Sequence, residues 1–599
     1  MIKRIAPVGL ILAIACHGSS GDGTGPVPAS NDISTMAVGD VRVFNPADIQ
    51  NGINLPTTSS ARDYVIIVGN TSAQHDVVAN YVVKADRSAG GSFGVSAPSG
   101  LGAQSSMLVG QIPLVRTAQQ AAENKVRAFE RKNLALRSAS DPFGSSRFSL
   151  RRSVQAPSSA AFAVPAVGDR INLKVPDGSS NNLCTTYFQT QAVVASVSSK
   201  AILAVDTLDG PPTLLFTQAQ MDSITSEFDG VTYPTDASYY AAPTDIDANG
   251  RVIMLFTGRI NMLTPANSPP GTGFVGGFFF AGDMFPPTDQ GGGPNSFCAQ
   301  SNQAEIFYLL SPDPSAKFGN VRTTSSVRQG TRGTIAHEFQ HMINAGNRYK
   351  NPAVSNFEST WLDEALAHFA EDAVGRVQRN FGDLQTLTFA DILPCNTPCS
   401  QANDFNAFFY QNLARLSYWM DKPSQYSPIS SLADTSLATR GASWAILRYA
   451  ADNYSTNGDA RAFTRKLAAG PDTGVKNFSA AAAAPIDTLV AGWLVSMYAD
   501  HLGIAGLNAK YQYRSYNFRN VMPPVAKSVL GQVVAAYPLV VVGIGSGSDN
   551  IAATNRSGSG TYYNLNVAAN SGPKNVKVLD ASGNVASFAG EHVYVLRVQ

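Results

Sequence analysis

The sequence predicts a multidomain protein. A central α+β domain, with a mixed sheet and a helical second half, is flanked by small all-β domains. Three observations support this prediction. The chain has 599 residues, whereas one hydrophobic core rarely serves more than about 250–300 residues. Apolar runs of strand and helix length alternate between residues 166 and 505. Short β-rich runs separated by Gly, Ser and Asn occupy the segments 31–110 and 506–599.

The composition is that of a globular protein, because 44% of the residues are hydrophobic and only 15% are charged. The 44 basic and 43 acidic residues give a formal net charge of +1. No overall field therefore attracts nucleic acid or an acidic membrane, and we expect no nucleic-acid partner. The protein is expected to be a monomer.

Residues 1–16 have the pattern of an export signal. Two basic residues precede the apolar run 5–15, which is too short to span a bilayer as a mature helix. The pattern resembles a bacterial lipoprotein signal, with Cys16 as the lipid-anchored residue. The Ala-x-Ala before Cys16 also fits ordinary cleavage that releases a soluble protein. We therefore expect a protein of the cell envelope or a secreted one, with residues 17–30 as a flexible tether.

Between the N-terminal β domain (31–110) and the central domain (166–505), residues 111–165 combine a helical pattern with an excess of positive charge. This segment is interpreted as a basic helical linker, and whether it is a propeptide stays open. The tail 506–599 returns to short strands and is predicted to be a β-sandwich-like domain.

The cysteines that remain after Cys16 are even in number and belong to an exported chain, which favours two disulfides. Three pairings are open. Cys395 and Cys399 lie in one turn-rich segment, so we prefer a local bond between them and a long one between Cys184 and Cys298.

The central domain contains four strand candidates, at residues 201–206, 252–257, 273–280 and 305–310. Its helical candidates are 217–228, 406–454 and 481–502. The Gly-rich run 273–280 suits either a core strand, which we favour, or an edge strand that pairs with an extended peptide.

Residues 334–344, TIAHEFQHMIN, predict a helix that ends at the following Ala-Gly-Asn, with Gly346 as the stop. His337 and His341 are one turn apart on this helix, so both imidazoles can bind one Zn²⁺ at about 2.0–2.1 Å. Glu338 is angled toward the open coordination position, where it can act as general base on the metal-bound water.

A catalytic zinc needs a third protein ligand, and Glu364 in STWLDEALAHFAED is the best candidate. It lies near the start of a second helix that begins at Thr360 and is expected to end at Gly375. A buried carboxylate is costly unless it is paired or metal-bound. His368, one turn after Glu364, is the less favoured alternative for the third ligand. Otherwise it is either an outer partner that orients a ligand or an ordinary helix histidine.

The run HEFQHMI followed by WLDEALAHFAED resembles the gluzincin metallopeptidases, and most closely the hyicolysin family of bacterial secreted neutral metallopeptidases. The resemblance implies a zincin-type catalytic domain that cleaves protein or peptide substrates. It also implies that His337, His341 and Glu364 bind zinc and that Glu338 is catalytic.

Two positions depart from these families. Ala365 stands where the family usually has Gly after the ligand glutamate, and His368 stands where thermolysin-like relatives have Asp.

The donor that stabilises the oxyanion cannot be identified from the pattern. Arg440, Tyr449 and Tyr410 are the candidates, because such a donor is typically a Tyr, His or Arg on a downstream helix.

Asp245, Asp247 and Asn249 alternate before a Gly, as at the opening of an EF-hand loop. Phe256 stands where an EF-hand has its final Glu, which excludes a true EF-hand. We favour an Asx-rich turn and keep a structural Ca²⁺ at these three residues as the alternative.

The leading hypothesis is therefore a zinc metalloendopeptidase that acts outside the cytoplasm. The alternative is a surface-anchored binding or adhesion protein with a structural or decayed zinc site, against which an intact Glu338 argues. Hydrolysis of a non-peptide amide is a third reading of the same ligands.

Overall fold

The computed structural model describes thirteen stretches of the chain. They are residues 31–74, 77–86, 164–180, 182–268, 274–289, 297–351, 354, 357–395, 400–430, 436–544, 550–571, 573–586 and 590–599. The predicted signal with Cys16, the tether 17–30, nearly all of the linker 111–165, and Cys399 lie outside the described residues. The predicted fold class is confirmed, because the protein is mixed α/β with several sheets and a helical C-terminal half.

The described residues form fifteen strands and thirteen α-helices. The strands are β1 (Val41–Phe44), β2 (Ile53–Leu55), β3 (Arg62–Asn70), β4 (Val78–Asp86), β5 (Arg170–Pro176), β6 (Tyr187–Val197), β7 (Ala201–Asp206), β8 (Val252–Thr257), β9 (Gly277–Phe279), β10 (Ile306–Leu310), β11 (Val541–Gly543), β12 (Asn550–Arg556), β13 (Ser559–Val567), β14 (Lys574–Leu579) and β15 (Glu591–Arg597). The helices are α1 (Gln218–Glu227), α2 (Tyr233–Tyr239), α3 (Gly258–Asn261), α4 (Thr324–Lys350), α5 (Thr360–Gln378), α6 (Phe389–Ile392), α7 (Ser400–Asp404), α8 (Tyr410–Asp421), α9 (Leu437–Tyr454), α10 (Ala460–Ala469), α11 (Gly474–Ala482), α12 (Ile486–Ala499) and α13 (Phe518–Leu530).

The strands of the two terminal segments lie in common sheets. One sheet has the order β1-β15-β3-β13-β11 and the other the order β12-β4-β14-β2, so each sheet mixes strands from both ends of the chain. We expected a separate β domain at each end, and the structure instead interleaves their strands. Residues assigned to the C-terminal β segment also include the helix α13. The domain boundaries themselves stay a prediction.

β3 shows how this double sheet joins the rest of the molecule. Ile66 and Val68 on one face belong to the apolar core between the two sheets. Val65 and Ile67 on the other face belong to the large core that includes the helical region. Because both faces are covered, the strand is a continuous apolar run rather than an alternating one.

The central sheet has the order β5-β6-β7-β8-β10-β9. β7, β8 and β10 are parallel, and every residue of β7, β8 and β10 is buried. β9 is antiparallel to β10 and forms the edge of the sheet. The Gly-rich run thus supplies an edge strand, the less favoured of the two predictions for it.

α4 and α5 are the long helices predicted from the two motifs, but their ends differ from the prediction. α4 continues past Gly346, and α5 continues past Gly375. A methyl group at Gly346 would lie 2.7 Å from Oγ1 of Thr244, and one at Gly375 would lie 2.5 Å from Cβ of Phe408. The predicted helix stops are therefore wrong, because these two glycines allow close packing inside the helices.

A π-helical turn, Phe405–Phe409, packs against both α4 and α5 and fixes them side by side. Gly333 in α4 permits this contact, since a methyl group there would overlap the carbonyl oxygen of Ala407.

In the part of the chain that the structure describes, no helix taken alone has the length and apolar character needed to cross a membrane. The pair α11 and α12, which is bent by 79°, passes the same test by length and composition.

Candidate metal centre

α4 carries the first three residues of the candidate site into the interior. His337, Glu338 and His341 are 8%, 7% and 1% exposed. Thr323 caps the start of the helix, because its side chain accepts a hydrogen bond from the backbone N–H of Ser326. The helical spacing predicted from HEFQH is observed, so both imidazoles project from the same face.

Three ligand atoms converge at this face. Nε2 of His337 lies 3.1 Å from Nε2 of His341 and 3.4 Å from Oε2 of Glu364. The third separation, from Nε2 of His341 to Oε2 of Glu364, is 3.9 Å. Two ligands about 2.0–2.1 Å from a tetrahedral zinc lie about 3.3–3.4 Å apart. Two imidazoles and one carboxylate, at separations close to that value, fit a zinc ion with three protein ligands.

A carboxylate stands behind each imidazole. Oε1 of Glu371 lies 2.8 Å from Nδ1 of His337, and Oδ2 of Asp363 lies 2.7 Å from Nδ1 of His341. The contact at His337 is a hydrogen bond, and a carboxylate that accepts from Nδ1 leaves the lone pair of Nε2 for a metal. At His341 the carboxylate of Asp363 lies at ion-pair distance and forms no hydrogen bond to Nδ1. Asn344 in turn donates to Oδ1 of Asp363 over 2.5 Å.

The site favours a cation. Burial alone would lower the pKa of His337, but hydrogen bonds to Glu364 and Glu371 and the charge of Glu338 raise it to about 10. The buried carboxylates thus stabilise positive charge at the position where the three ligand atoms meet.

Glu338 is held between α4 and the edge of the central sheet. Its Oε2 accepts a hydrogen bond from the backbone N–H of Phe279 in β9 over 2.8 Å. The carboxylate of the predicted general base is therefore fixed next to the edge strand.

Of the three candidates for the oxyanion donor, the structure brings one to the ligand set. Nη1 of Arg440 lies 3.0 Å from Oε2 of Glu364, and the side chain is buried. The hydroxyl of Tyr449 donates to the carbonyl of Lys510 instead.

The third candidate, Tyr410, packs its ring against Phe405. Neither tyrosine therefore has a described contact with the three ligand residues.

His368 lies beside the site without forming part of the converging triangle. Its Nδ1 is 3.0 Å from Oε1 of Glu371, and its ring centre is 4.7 Å from that of His337. Burial and the neighbouring Arg415 lower the pKa of His368 to about 3, so it is neutral.

Two carboxylates that lie against the candidate ligand histidines were missed in the sequence. Asp363 precedes Glu364 by one residue and Glu371 follows it by seven, or two helical turns. The signal for Glu371 was its place on the same face of α5 as Glu364. The signal for Asp363 was only its proximity to the ligand in the chain.

The structure does not support the calcium site. Nδ2 of Asn249 donates to Oδ2 of Asp247 over 2.6 Å, and the backbone of Gly250 donates to Oδ1 of Asp245. The favoured Asx-rich turn is thus what forms, and Asn249 directs its donor, not an acceptor, toward its neighbour. Glu305 approaches the two aspartates, and burial together with this carboxylate raises the pKa of Asp247 to about 7.

The long disulfide is confirmed. Cys184 is bonded to Cys298, at a sequence separation of 114 residues. Cys395 is also disulfide-bonded, and its predicted partner Cys399 lies outside the described residues.

Comparison with known proteins gives a limited relationship. The chain is similar to the neutral metalloprotease ShpI of Staphylococcus hyicus, with 27% identity over 156 residues. The similarity covers 26% of this chain and 31% of the relative, so the match extends over about a third of the relative's length. No model of a protein family matches the chain. The similarity supports a relationship to a metallopeptidase.

Proposed function

We propose that this chain is a zinc metalloendopeptidase that hydrolyses peptide bonds of protein substrates outside the cytoplasm. The observation that carries the proposal is the convergence of the side chains of His337, His341 and Glu364. Glu338 lies on the same helix turn as the two imidazoles. In this proposal the first three residues hold Zn²⁺. A bound zinc would polarise the scissile carbonyl and lower the pKa of the attacking water toward about 7.

Glu338 is the general base. It takes a proton from water as the water oxygen bonds to the scissile carbonyl carbon, and it passes that proton to the leaving nitrogen when the C–N bond breaks. The hydrogen bond from Phe279 fixes one oxygen of this carboxylate. The other oxygen is then oriented for proton transfer without a search over rotamers.

The edge strand supports a peptide as the substrate. The carbonyl oxygen of Gly276 accepts a hydrogen bond from the backbone N–H of Leu310, so Gly276 faces β10. Backbone groups alternate in direction along an antiparallel pair, so the N–H and C=O of the next residue, Gly277, point away from β10. An extended peptide can pair with these outward groups next to Glu338. A small amide would have no use for this pairing, so β9 favours a protein substrate over a non-peptide amide.

The Cys184–Cys298 disulfide supports a location outside the cytoplasm, because structural disulfides persist in oxidising compartments. Anchoring through Cys16 is proposed on the sequence pattern alone.

The test is casein hydrolysis by the full chain and by Glu338→Gln, each with its zinc content measured. Glu227→Gln is the matched control, because Glu227 pairs with Arg328 and Arg332 away from the site. We expect all three proteins to bind zinc. Glu338→Gln should lose about 10²–10⁴-fold in activity, and the control should keep the wild-type rate.

Two outcomes would contradict the proposal. If the wild type binds zinc and cleaves no protein substrate, the binding or adhesion function takes its place. If Glu338→Gln cleaves as fast as the wild type, Glu338 is not the base.

A further inference from the structure

Behind the candidate metal centre, a chain of buried polar contacts runs from α8 through α5 to α4. Nη1 of Arg415 lies 2.8 Å from Nε2 of His368 and 3.0 Å from its Nδ1. His368 contacts Oε1 of Glu371 over 3.0 Å, and the same oxygen lies 2.8 Å from Nδ1 of His337. All four side chains are buried, with exposures of 8% or less.

The donors and acceptors of this chain can be assigned. A guanidinium only donates and an ionised carboxylate only accepts. Nδ1 of His368 faces Glu371, so it carries the proton, and Nε2 is left to accept from Arg415. Oε1 of Glu371 then accepts from His368 and from Nδ1 of His337. Nδ1 of His337 is thereby directed at Glu371, and its Nε2 faces His341.

His337, His368 and Glu371 could also be regarded as ligands of a second metal ion, because their ligand atoms lie within 4.8 Å of one another. Two features argue against this. The separations of 2.8 and 3.0 Å are hydrogen-bond lengths and fall below the roughly 3.3–3.4 Å expected between two zinc ligands. The guanidinium of Arg415, 2.8 Å from His368, would also repel a cation.

The helical register explains how one element supplies all of these groups. Glu364, His368 and Glu371 are at positions i, i+4 and i+7 of α5 and share one face. Asn412 of α8 donates to the backbone carbonyl of His368 over 3.0 Å, which fixes the height of α8 against α5. Arg415 is one turn after Asn412 and reaches the imidazole from there.

We propose that Glu371 is the positioning residue of the zinc ligand His337, and that His368 and Arg415 hold Glu371 in place from behind. The proposal rests on the proposed function only in that it requires zinc at His337, His341 and Glu364. It assigns to α8 a part in metal affinity although α8 provides no ligand.

The experiment measures zinc affinity of the full chain by competition with a chelator. The variants are Glu371→Gln, Arg415→Met and the double variant. Glu371→Gln should weaken zinc binding about 10–100-fold, since loss of an outer partner of a ligand histidine has that effect. Arg415→Met should weaken it several-fold. The double variant should be no weaker than Glu371→Gln, because Arg415 acts through Glu371.

The matched control is Arg379→Met. Arg379 is at the end of α5, donates to the backbone carbonyls of Asp391 and Ile392, and has no contact with the site. Its zinc affinity should equal that of the wild type. The melting temperature of each metal-free variant separates a loss of affinity from a loss of folding. If Arg415→Met does not fold, the isosteric Glu371→Gln still decides.

Unchanged zinc affinity in Glu371→Gln would overturn the proposal and leave the proposed function intact. If the losses of zinc affinity add in the double variant, Arg415 does not act through Glu371, and that part of the proposal is overturned. A wild type that binds no zinc would overturn both this inference and the proposed function. A cobalt-substituted protein gives a second measurement, because its visible absorption spectrum should change in Glu371→Gln and stay unchanged in the control.

Discussion

Asp363 lies 2.7 Å from Nδ1 of His341, although it is the residue next to Glu364, which approaches Nε2 of the same imidazole. The two adjacent carboxylates of α5 thus act on opposite nitrogens of one ring. Asp363 faces Nδ1 of the imidazole, and Glu364 lies on the Nε2 side, where the candidate ligand atoms meet.

Asp363→Asn should weaken zinc binding about 10–100-fold, because an amide lacks the negative charge that faces Nδ1 of His341. Chelator competition measures the effect. Asp222→Asn is the control, since Asp222 bonds to Ser196 and Gln218 away from the site and should leave the affinity unchanged. A wild-type affinity in Asp363→Asn would mean that the orientation of His341 is set by the packing of α4 alone.

The part of the site that the sequence predicts is the part fixed by helical periodicity. The spacing within each of the two motifs predicts a helix, one that carries HEFQH and one that carries Glu364. The structure brings His337, His341 and Glu364 together. The residue spacing within one helix does not determine which other helices pack against it. Glu371 acquires a role only because α4 presents Nδ1 of His337 to it, and the sequence does not show which ring nitrogen faces which helix.

The same limit applies to the fold. Gly346 and Gly375 have the local signature of helix stops, but Thr244 and Phe408, far away in the chain, require the small residue. Strand content at both ends of the chain was predictable, whereas the pairing of β3 with β13 and β15 spans most of the sequence and leaves no local mark.

Gly333 and Gly330 of α4 form a pair for testing the packing of the site helix. Gly333→Ala should lower the free energy of unfolding by about 1–3 kcal/mol, because its methyl group would overlap the carbonyl of Ala407. At Gly330 a methyl group meets nothing within 4 Å. Gly330→Ala should therefore stabilise the protein by about 0.5–1 kcal/mol through helix propensity. Denaturant unfolding of both variants measures the difference, and effects of the same sign would contradict the close contact.

We predict that the free energy of unfolding depends on pH through the ionisation of Asp283, independently of any metal. Burial raises its pKa to about 7, although Asn302 and Tyr308 donate hydrogen bonds to it. The folded state thus binds the proton more tightly than the unfolded state, in which the pKa is about 3.8. Its contribution to stability is present below about pH 4 and is lost as the pH rises through 7. The loss is on the order of 4 kcal/mol.

Asp283→Asn removes this titration. Urea unfolding of both proteins at pH 5 and pH 8 should show that the wild type loses more stability than the variant over this interval. Every other titrating group is common to the two proteins, so equal losses would show that Asp283 ionises normally in the folded state.

Because the two sheets mix strands from both ends of the chain, we predict that the two fragments of a cleaved chain stay associated. β3 pairs along its length with β13 and also with β15, and β4 pairs with β12 and β14. β3 and β4 are therefore interior strands of their sheets. A chain that has been cut at a site-specific protease sequence inserted between residues 100 and 101 should therefore keep its N-terminal fragment. The two pieces should elute together in native size-exclusion chromatography and separate in denaturant.

The control for this prediction is the chain without residues 31–86. Its remaining strands β13 and β15 would expose Tyr563 and Val593, which are buried in the core between the two sheets. This chain should melt at a lower temperature or aggregate, because exposed apolar strand edges pair with other molecules. Dissociation of the fragment on dilution would mean that the chain connection, and not the pairing of β3 and β4, holds the two ends together.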